Sequence, residues 1–253
     1  MKRMKKKYIE KTKNIYRISV NNVLVRIIKK IMQEIEYKLN PSLLSDSTEN
    51  IFKGIYERNK WGSDLSVSGF GSEYSQTELI IFAIPKIINE YKITSILDIP
   101  CGDFNWMRKV DMSQIKYIGA DIVSEITDIN NQKYSTKNKK FLNLNLLKDK
   151  LPKSDLIICR DCLVHFSEED IFKALKNICE SDSGYLMTTN FLKHKHNRKI
   201  ATGKWRRINL TKNPFNLPDP IESIYEGCTE AFGFFDDKHL SIWSIKSIKE
   251  SLY

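Results

Sequence analysis

Short apolar runs alternate with helical patterns through the centre of the chain. The runs have the length and β-branched content of buried strands, and they lie near residues 93–98, 117–121, 140–145, 151–160 and 184–190. The clearest helix start is Ser167-Glu-Glu-Asp170, which resembles a capping box before the periodic residues Ile171, Leu175 and Ile178. This order of elements predicts an α/β fold with a doubly wound, mostly parallel sheet.

The pattern continues on both sides of this region. Phe234-Phe235 and Leu240-Ser-Ile-Trp-Ser-Ile245 alternate in polarity, which predicts a closing antiparallel hairpin and a seven-stranded sheet. Upstream, a short helix is expected near residues 51–58. A second helix is expected to begin at Thr77 as its cap and to run to Tyr91, with a kink at Pro85.

Residues 1–45 are predicted to form a separate N-terminal extension, and residues 46–253 the main domain. Apolar residues recur every three or four positions over residues 15–39, opposite a basic face, which predicts an amphipathic helix after a frayed tail. This helix has three candidate roles: packing on the main domain, pairing with a second subunit to form a homodimer, or weak contact with an anionic membrane surface. The first two are favoured because Glu34 and Glu36 interrupt the basic face.

Two irregular segments are expected to cover a site. Residues 59–76 contain serines and glycines interleaved with Trp61, Phe70 and Tyr74, which favours an ordered lid over a flexible linker. Residues 191–230 follow the fifth strand, so they lie beyond the carboxyl ends of the sheet, where ligands bind in open α/β folds.

Composition narrows the class of protein. The chain has 253 residues with 41% hydrophobic and 28% charged residues, values typical of a globular protein. The net charge of +10 is concentrated at the start, where seven of the first 13 residues are Lys or Arg. A tail of this kind is usually solvated, so the charge is weak evidence for a nucleic-acid partner.

Targeting and redox signals point to the cytoplasm. No run reaches the ~18 apolar residues of a membrane span, and the basic N-terminus lacks the apolar stretch of a signal peptide. The chain has five cysteines, and Cys159 and Cys162 form the sole CxxC pair. With no second pair to complete a zinc site, we interpret them as reduced packing residues and expect no metal.

The strand ends carry the candidate chemistry. Ile93-Thr-Ser-Ile-Leu-Asp98 ends in an acid before Pro-Cys-Gly102, and Tyr117-Ile-Gly-Ala-Asp121 ends in a second acid 23 residues later. This spacing is typical of a nucleotide-binding α/β fold, in which the second acid binds ribose hydroxyls. Of the GxGxxG glycines that cradle a pyrophosphate, Gly102 alone remains, which favours S-adenosylmethionine, a cofactor without phosphate.

The turn after Asp98 resembles, in a variant form, the first motif of class I S-adenosylmethionine-dependent methyltransferases. Over about residues 51–246 the chain is also similar to one bacterial subfamily of methyltransferase-domain proteins. That similarity is carried by Trp61-Gly62, Ser68-Gly-Phe-Gly-Ser72, Thr77, Pro100-Cys-Gly-Asp-Phe-Asn-Trp-Met107, Arg160-Asp-Cys-Leu-Val-His165, Thr202-Gly-x-Trp205-Arg and Asn213-Pro-Phe-Asn-Leu-Pro218. The resemblance implies a Rossmann-like fold, S-adenosylmethionine as cofactor and methyl transfer as the reaction.

The resemblance also assigns residues to the cofactor. Asp98 either places the methionine amino group or caps the turn, and Leu146 packs either on adenine or in the core. Asp121 is expected on the ribose, and the amide oxygen of Asn145 on the adenine amino group. Arg160 pairs with Asp161 or contacts the cofactor carboxylate. The remaining candidates are Trp61, Ser68 and Gly69 in the lid, Pro100, Cys101, Gly102, Asp103 and Phe104 in the turn, and Ile122 beside Asp121.

The acceptor side offers two sets of residues. Asp161 and His165 follow the fourth strand and are the candidates for acid–base work, although His165 is as easily explained by a bond to backbone at the helix start. The substrate candidates are Asn190, Arg198, Trp205, Arg206 and Arg207. Guanidinium groups suit phosphates and carboxylates, so these residues predict an anionic acceptor; the alternative is a solvated surface.

Three function classes follow. The first is O-methylation of a small anionic acceptor or glycan, with surface polysaccharide biosynthesis as a setting implied by the subfamily alone. The second is methylation of nucleic acid, which is disfavoured because Arg160-Asp-Cys-Leu stands where such enzymes carry Asn-Pro-Pro-Tyr. The third is a non-catalytic scaffold.

Overall fold

The computed structural model describes residues 47–252, without the side chains of residues 231 and 232. The tail and the amphipathic helix predicted within residues 1–45 lie outside the described residues. The domain boundary expected at residue 45 is therefore still a prediction, as are the three roles considered for that helix.

A seven-stranded sheet forms the centre of the described part. Its strands are β1 (Ser95–Asp98), β2 (Lys116–Asp121), β3 (Lys139–Asn143), β4 (Leu156–Cys159), β5 (Tyr185–Phe191), β6 (Glu222–Tyr225) and β7 (Lys238–Ser244), in the order β3-β2-β1-β4-β5-β7-β6. The first five strands are parallel, and β7 is antiparallel to both β5 and β6. The predicted doubly wound sheet is confirmed. Its strand order reverses between β1 and β4, which is where such sheets bind ligands.

Within residues 47–252, five helices cover the two faces of this sheet: α1 (Thr48–Glu57), α2 (Tyr74–Glu90), α3 (Ser124–Tyr134), α4 (Glu168–Glu180) and α5 (Ile245–Leu252). One hydrophobic core joins α1, α4 and α5 to strand residues such as Leu97 and Ile157, and a second joins α2 to Ile96 and Ile158. Successive strand residues therefore point into different cores, as the pleat requires.

The helix starts differ in part from expectation. Ser167 caps α4 as predicted, since its hydroxyl accepts from Asp170 N at 3.2 Å. Thr77 does not cap α2. The helix begins at Tyr74, and the Thr77 hydroxyl donates to the carbonyl of Glu73 from inside it, a bond that satisfies the hydroxyl without ending the helix. The helix continues past Pro85 without interruption.

The predicted closing hairpin is half right. β7 covers the expected run, but its partner is β6 and not Phe234-Phe235, which lie in a loop. β6 is a short edge strand whose side chains are half-buried or exposed, so it lacks the alternation that identifies a strand from sequence.

Candidate functional site

A cavity lies at the carboxyl ends of β1, β2 and β4, beside the reversal of strand order. Its empty volume is about 980 Å³, counted with the part that opens to solvent. Many of the sequence candidates line it, namely Trp61, Ser68, Asp98, Pro100, Cys101, Gly102, Asp121, Ile122, Asn145, Leu146, Arg160, Asp161 and His165. Phe52 and Tyr56 from α1 line it as well, and the sequence analysis did not single them out.

The turn after β1 is shaped by Gly102. Its φ is +54°, and a Cβ there would lie 2.0 Å from the Ser68 hydroxyl, so only glycine fits without displacement. Gly102 N donates to Asp121 Oδ2 at 3.1 Å, and Val123 N donates to Asp121 Oδ1 at 2.9 Å. Asp121 thus joins the two turns that follow β1 and β2.

Two buried carboxylates line this part of the cavity. Burial raises the pKa of Asp98 to about 7 and the pKa of Asp121 to about 6. Tyr117 Oη donates to Asp98 Oδ2 at 2.6 Å, so one carboxylate oxygen of Asp98 is bound within the core. A cationic group bound beside these acids would stabilise their ionised forms.

The far wall is formed by Asn145 and Leu146. The amide oxygen of Asn145 accepts from Leu147 N at 2.8 Å, and its amide nitrogen donates to Glu49 at 2.7 Å. Lys148 and Asn145 together lower the pKa of Glu49 to about 2. Glu49, on α1, is separated from Asn145 by 96 residues, and no local pattern pointed to it.

Residues 59–73, which we call the strap, cover the Gly102 turn. The Asp103 carboxylate accepts from Ser66 Oγ at 3.0 Å and from Val67 N at 3.1 Å. Asn105 Nδ2 donates to the carbonyl of Ser72 at 3.3 Å. The strap is therefore held by the Gly102 turn itself, as an ordered lid requires, and it ends earlier than the predicted residue 76 because α2 begins at Tyr74.

Three turn and lid candidates do not line the cavity. Asp103 anchors the strap, and Phe104 is buried among Tyr117, Phe141 and other rings. Gly69 lies behind Trp61, since a Cβ at Gly69 would be 2.8 Å from Trp61 Cβ. Their part in shaping the site is structural, and direct contact with a ligand is not supported for them.

His165 lines the opposite side of the cavity. Its Nδ1 lies 2.9 Å from the carbonyl oxygen of Lys204, which can only accept, so Nδ1 carries the ring proton and Nε2 carries the lone pair. Burial lowers the pKa of His165, which keeps the ring neutral near pH 7. The Trp61 ring lies over it with centroids 5.6 Å apart. This is the protonation state that a general base needs.

A buried ionic cluster lies at the end of β4, where Arg160 and Asp161 also line the cavity. Glu226 Oε2 accepts from Arg160 Nη2 at 2.6 Å, and Asp161 Oδ2 accepts from Lys238 Nζ at 2.7 Å. Arg160 is 3.4 Å from Asp161, so that pairing exists but Glu226 is the closer partner. Lys238 and Arg160 hold the pKa of Asp161 below its usual range, which makes Asp161 a poor base. The sequence did not reveal Glu226 or Lys238.

The predicted basic cluster is not assembled at the cavity. None of its members lines the cavity: Asn190, Arg198, Trp205, Arg206 and Arg207. Asn190 and Arg206 are fully buried, with Asn190 Oδ1 accepting from Leu210 N and Arg206 Nη1 donating to Phe166 O. Consecutive residues along this extended segment point in opposite directions, so Arg207 reaches Phe234 O instead.

All five cysteines lie in the described part as buried free thiols. Across residues 47–252 no group of His, Cys, Asp and Glu side chains could hold a metal ion. No helix in the same range is long and apolar enough to cross a membrane.

Comparison with known proteins identifies the fold. No family model matches the chain, and no curated protein matches it. Among solved structures, human N-acetylserotonin methyltransferase in complex with S-adenosylmethionine is similar with a TM-score of 0.53, 14% identity and coverage of 78% of this chain. The chain spans 59% of that human protein.

Magnesium protoporphyrin IX methyltransferase from Synechocystis PCC 6803, with bound S-adenosylmethionine, has the same TM-score of 0.53 at 12% identity. The match covers 79% of this chain and 97% of that one. The fold is therefore the Rossmann-like fold of class I methyltransferases. At these identities the likeness is one of fold alone.

Proposed function

We propose that the protein is an S-adenosylmethionine-dependent methyltransferase that methylates an oxygen of a small acceptor. One observation carries the proposal. The cavity brings the Gly102 turn and the Asp121 carboxylate together with a neutral His165 whose Nε2 is free of the Lys204 contact. The Gly102 turn and Asp121 are suited to binding the cofactor, and His165 is suited to taking a proton from a hydroxyl acceptor.

The cavity residues fit this cofactor. Pro100, Cys101 and Gly102 line the cavity, and their turn offers a surface against which an amino-acid chain can lie. Asp98 and Asp121, whose pKa values burial raises, gain a cation when an ammonium and a sulfonium enter. We assign Asp98 to the methionine ammonium, Asp121 and Ile122 to the ribose, and Asn145 and Leu146 to the adenine.

When bound, S-adenosylmethionine supplies the methyl group: a C–O bond forms as the C–S bond breaks, and S-adenosylhomocysteine is left. His165 Nε2 takes the proton of the acceptor hydroxyl. Trp61, whose ring packs against that of His165 at a tilt of 43°, limits the access of water to that proton transfer. Asp161 keeps its negative charge and, through Thr189 and Lys238, holds the end of β4 in place.

The sequence gives only indirect evidence about the chemical class of the acceptor. We retain the expectation of a small anionic acceptor, such as a sugar phosphate, nucleotide sugar, phosphoramidate or acidic glycan, as the first class to test. Surface polysaccharide assembly and a cytoplasmic location belong to the same expectation. The arginines that motivated it lie outside the cavity, so each anionic candidate needs a neutral counterpart in the screen.

Calorimetric titration with S-adenosylmethionine and S-adenosylhomocysteine tests the cofactor assignment. We expect micromolar binding of both, about −8 kcal/mol. Asp121→Asn should weaken both by about 1–3 kcal/mol, because it replaces a charged acceptor of two backbone N–H groups. A folded protein that binds neither compound would contradict the proposal and support the scaffold alternative.

A further inference from the structure

The segment Thr202–Arg206 carries part of the sequence resemblance, and its Trp205 and Arg206 were expected at an anion site, yet the segment lies against the turn that carries His165. Its backbone contacts that turn twice: Gly203 N donates to His165 O at 2.8 Å, and Arg206 N donates to Val164 O at 3.1 Å. The carbonyl of Lys204 faces His165 Nδ1. The segment therefore forms a second strip of backbone along residues 164–166.

Two side chains lock this strip in place. The Thr202 hydroxyl accepts from Ser167 N at 3.0 Å and donates to Asp170 Oδ2 at 2.5 Å, which completes the cap of α4. Arg206 Nη1 donates to Phe166 O at 2.5 Å. Bonds from residues 202–206 thus reach each of the four consecutive residues from Val164 to Ser167.

Arg206 is an unusual choice for such a contact. Its side chain is fully buried, and within the described residues Nε and Nη2 have no hydrogen-bond partner. Burying a guanidinium with a single acceptor is unfavourable for folding, and an apolar side chain would avoid that cost. The hydrogen bond that the Arg206 side chain keeps is to the carbonyl of the residue directly after His165. The unfavourable burial of Arg206 therefore occurs where it holds the backbone that positions the imidazole ring.

We propose that Gly203 and Arg206 are positioning residues for His165, and that the 202–206 strip selects the ring tautomer with the proton on Nδ1. Gly203, at φ +90°, turns the chain so that the Lys204 carbonyl points at Nδ1. Arg206 holds Phe166, and with it the backbone on which the imidazole is mounted. The catalytic consequence rests on the proposed function, whereas the tautomer does not.

Nuclear magnetic resonance of isotope-labelled histidine tests this without any ligand. In the wild-type protein, His165 should show a single tautomer protonated at Nδ1 near neutral pH. Arg206→Met and Gly203→Ala should convert it to a mixture of tautomers, and Arg206→Lys, which keeps one donor, should lie between. His239, whose Nδ1 faces the carbonyl of Asp237 at 2.9 Å, is an internal control that should not change.

Two results would contradict the proposal about the His165 tautomer. Folded Arg206→Met and Gly203→Ala proteins that keep the single Nδ1-protonated form would overturn the proposal. So would a wild-type ring protonated at Nε2, which decides the matter even if a variant does not fold. In an active enzyme the same variants should lower kcat about tenfold or more with little change in the cofactor Kd. Failure of cofactor binding would refute the proposed function and leave the tautomer result standing.

Discussion

The two sides of the cavity are built in different ways. The side that we assign to the cofactor, at residues 98–102, 121–123 and 144–146, is joined mainly by bonds among nearby parts of the sequence, such as those of Asp121 to Gly102 and Val123, with Glu49 as a distant exception. The side that we assign to the acceptor, at residues 160–166, is held by partners far along the chain: Lys204 is 39 residues from His165, and Lys238 is 77 from Asp161. The first side is thus built mostly from one continuous stretch of the sequence, whereas the second needs partners that follow much later in the chain.

If the two sides have these separate functions, the acceptor side should control kcat and the cofactor side should control the cofactor Kd. His165→Ala should give the largest effect, a loss in kcat of about 100-fold, because it removes the base. The cofactor Kd should change by less than about threefold. His239→Ala is the matched control, since His239 also faces a backbone carbonyl but does not line the cavity. Equal loss of both constants in His165→Ala would break the division.

The pH dependence of stability tests the cofactor side. The folded pKa of Asp98, about 7, lies above that of an unfolded Asp, so the stabilising protonated form is lost as pH rises through 7. Between pH 5 and 7.5 the wild type should lose about 2 kcal/mol relative to Asp98→Asn, which keeps an acceptor for Tyr117. Titration of His165 has the opposite sign but is common to both proteins. A constant difference in unfolding free energy across this range would refute the assignment.

Gly102→Ala is a second test of the cofactor side of the cavity. The positive φ and the Ser68 contact should cost about 1–2 kcal/mol of stability and weaken cofactor binding by about tenfold. The double variant Ser68→Gly/Gly102→Ala removes the steric part and should recover some of the affinity in calorimetry. Full affinity in Gly102→Ala alone would mean that the turn adapts easily and does not define the site.

The smallest expected effect is at Glu49. Its bonds to Asn145 and Lys148 lie partly in solvent, so Glu49→Gln should weaken cofactor binding by less than about 1 kcal/mol. Glu125→Gln, which removes an exposed pairing with Lys53, is a control outside the cavity. A loss larger than that of Asp121→Asn would move the centre of adenine recognition from β3 to α1.

The same division explains what the sequence could reveal. Asp98, Gly102 and Asp121, which line the cavity, could be predicted because a strand, a turn and a strand-end acid leave a local pattern, whereas Asn145 came from the family resemblance. Glu226 and Lys238 were missed because only the pairing of β6 with β7 brings them to Arg160, and β6 has no alternation to identify it. The basic cluster failed for the opposite reason: residues adjacent in sequence point to different sides of an extended segment.

The buried thiols give this site a chemical reporter. Cys101 and Cys162 both line the cavity, and neither is in a disulfide. Burial raises the pKa of Cys101 well above its ordinary value, and the contact with Cys159 together with burial does the same for Cys162, so both thiols should react slowly with alkylating reagents. Whatever fills the cavity must shield them further. The rate of thiol modification therefore reads cavity occupancy directly, and a library of acceptor compounds can be screened for binding before any turnover is detected.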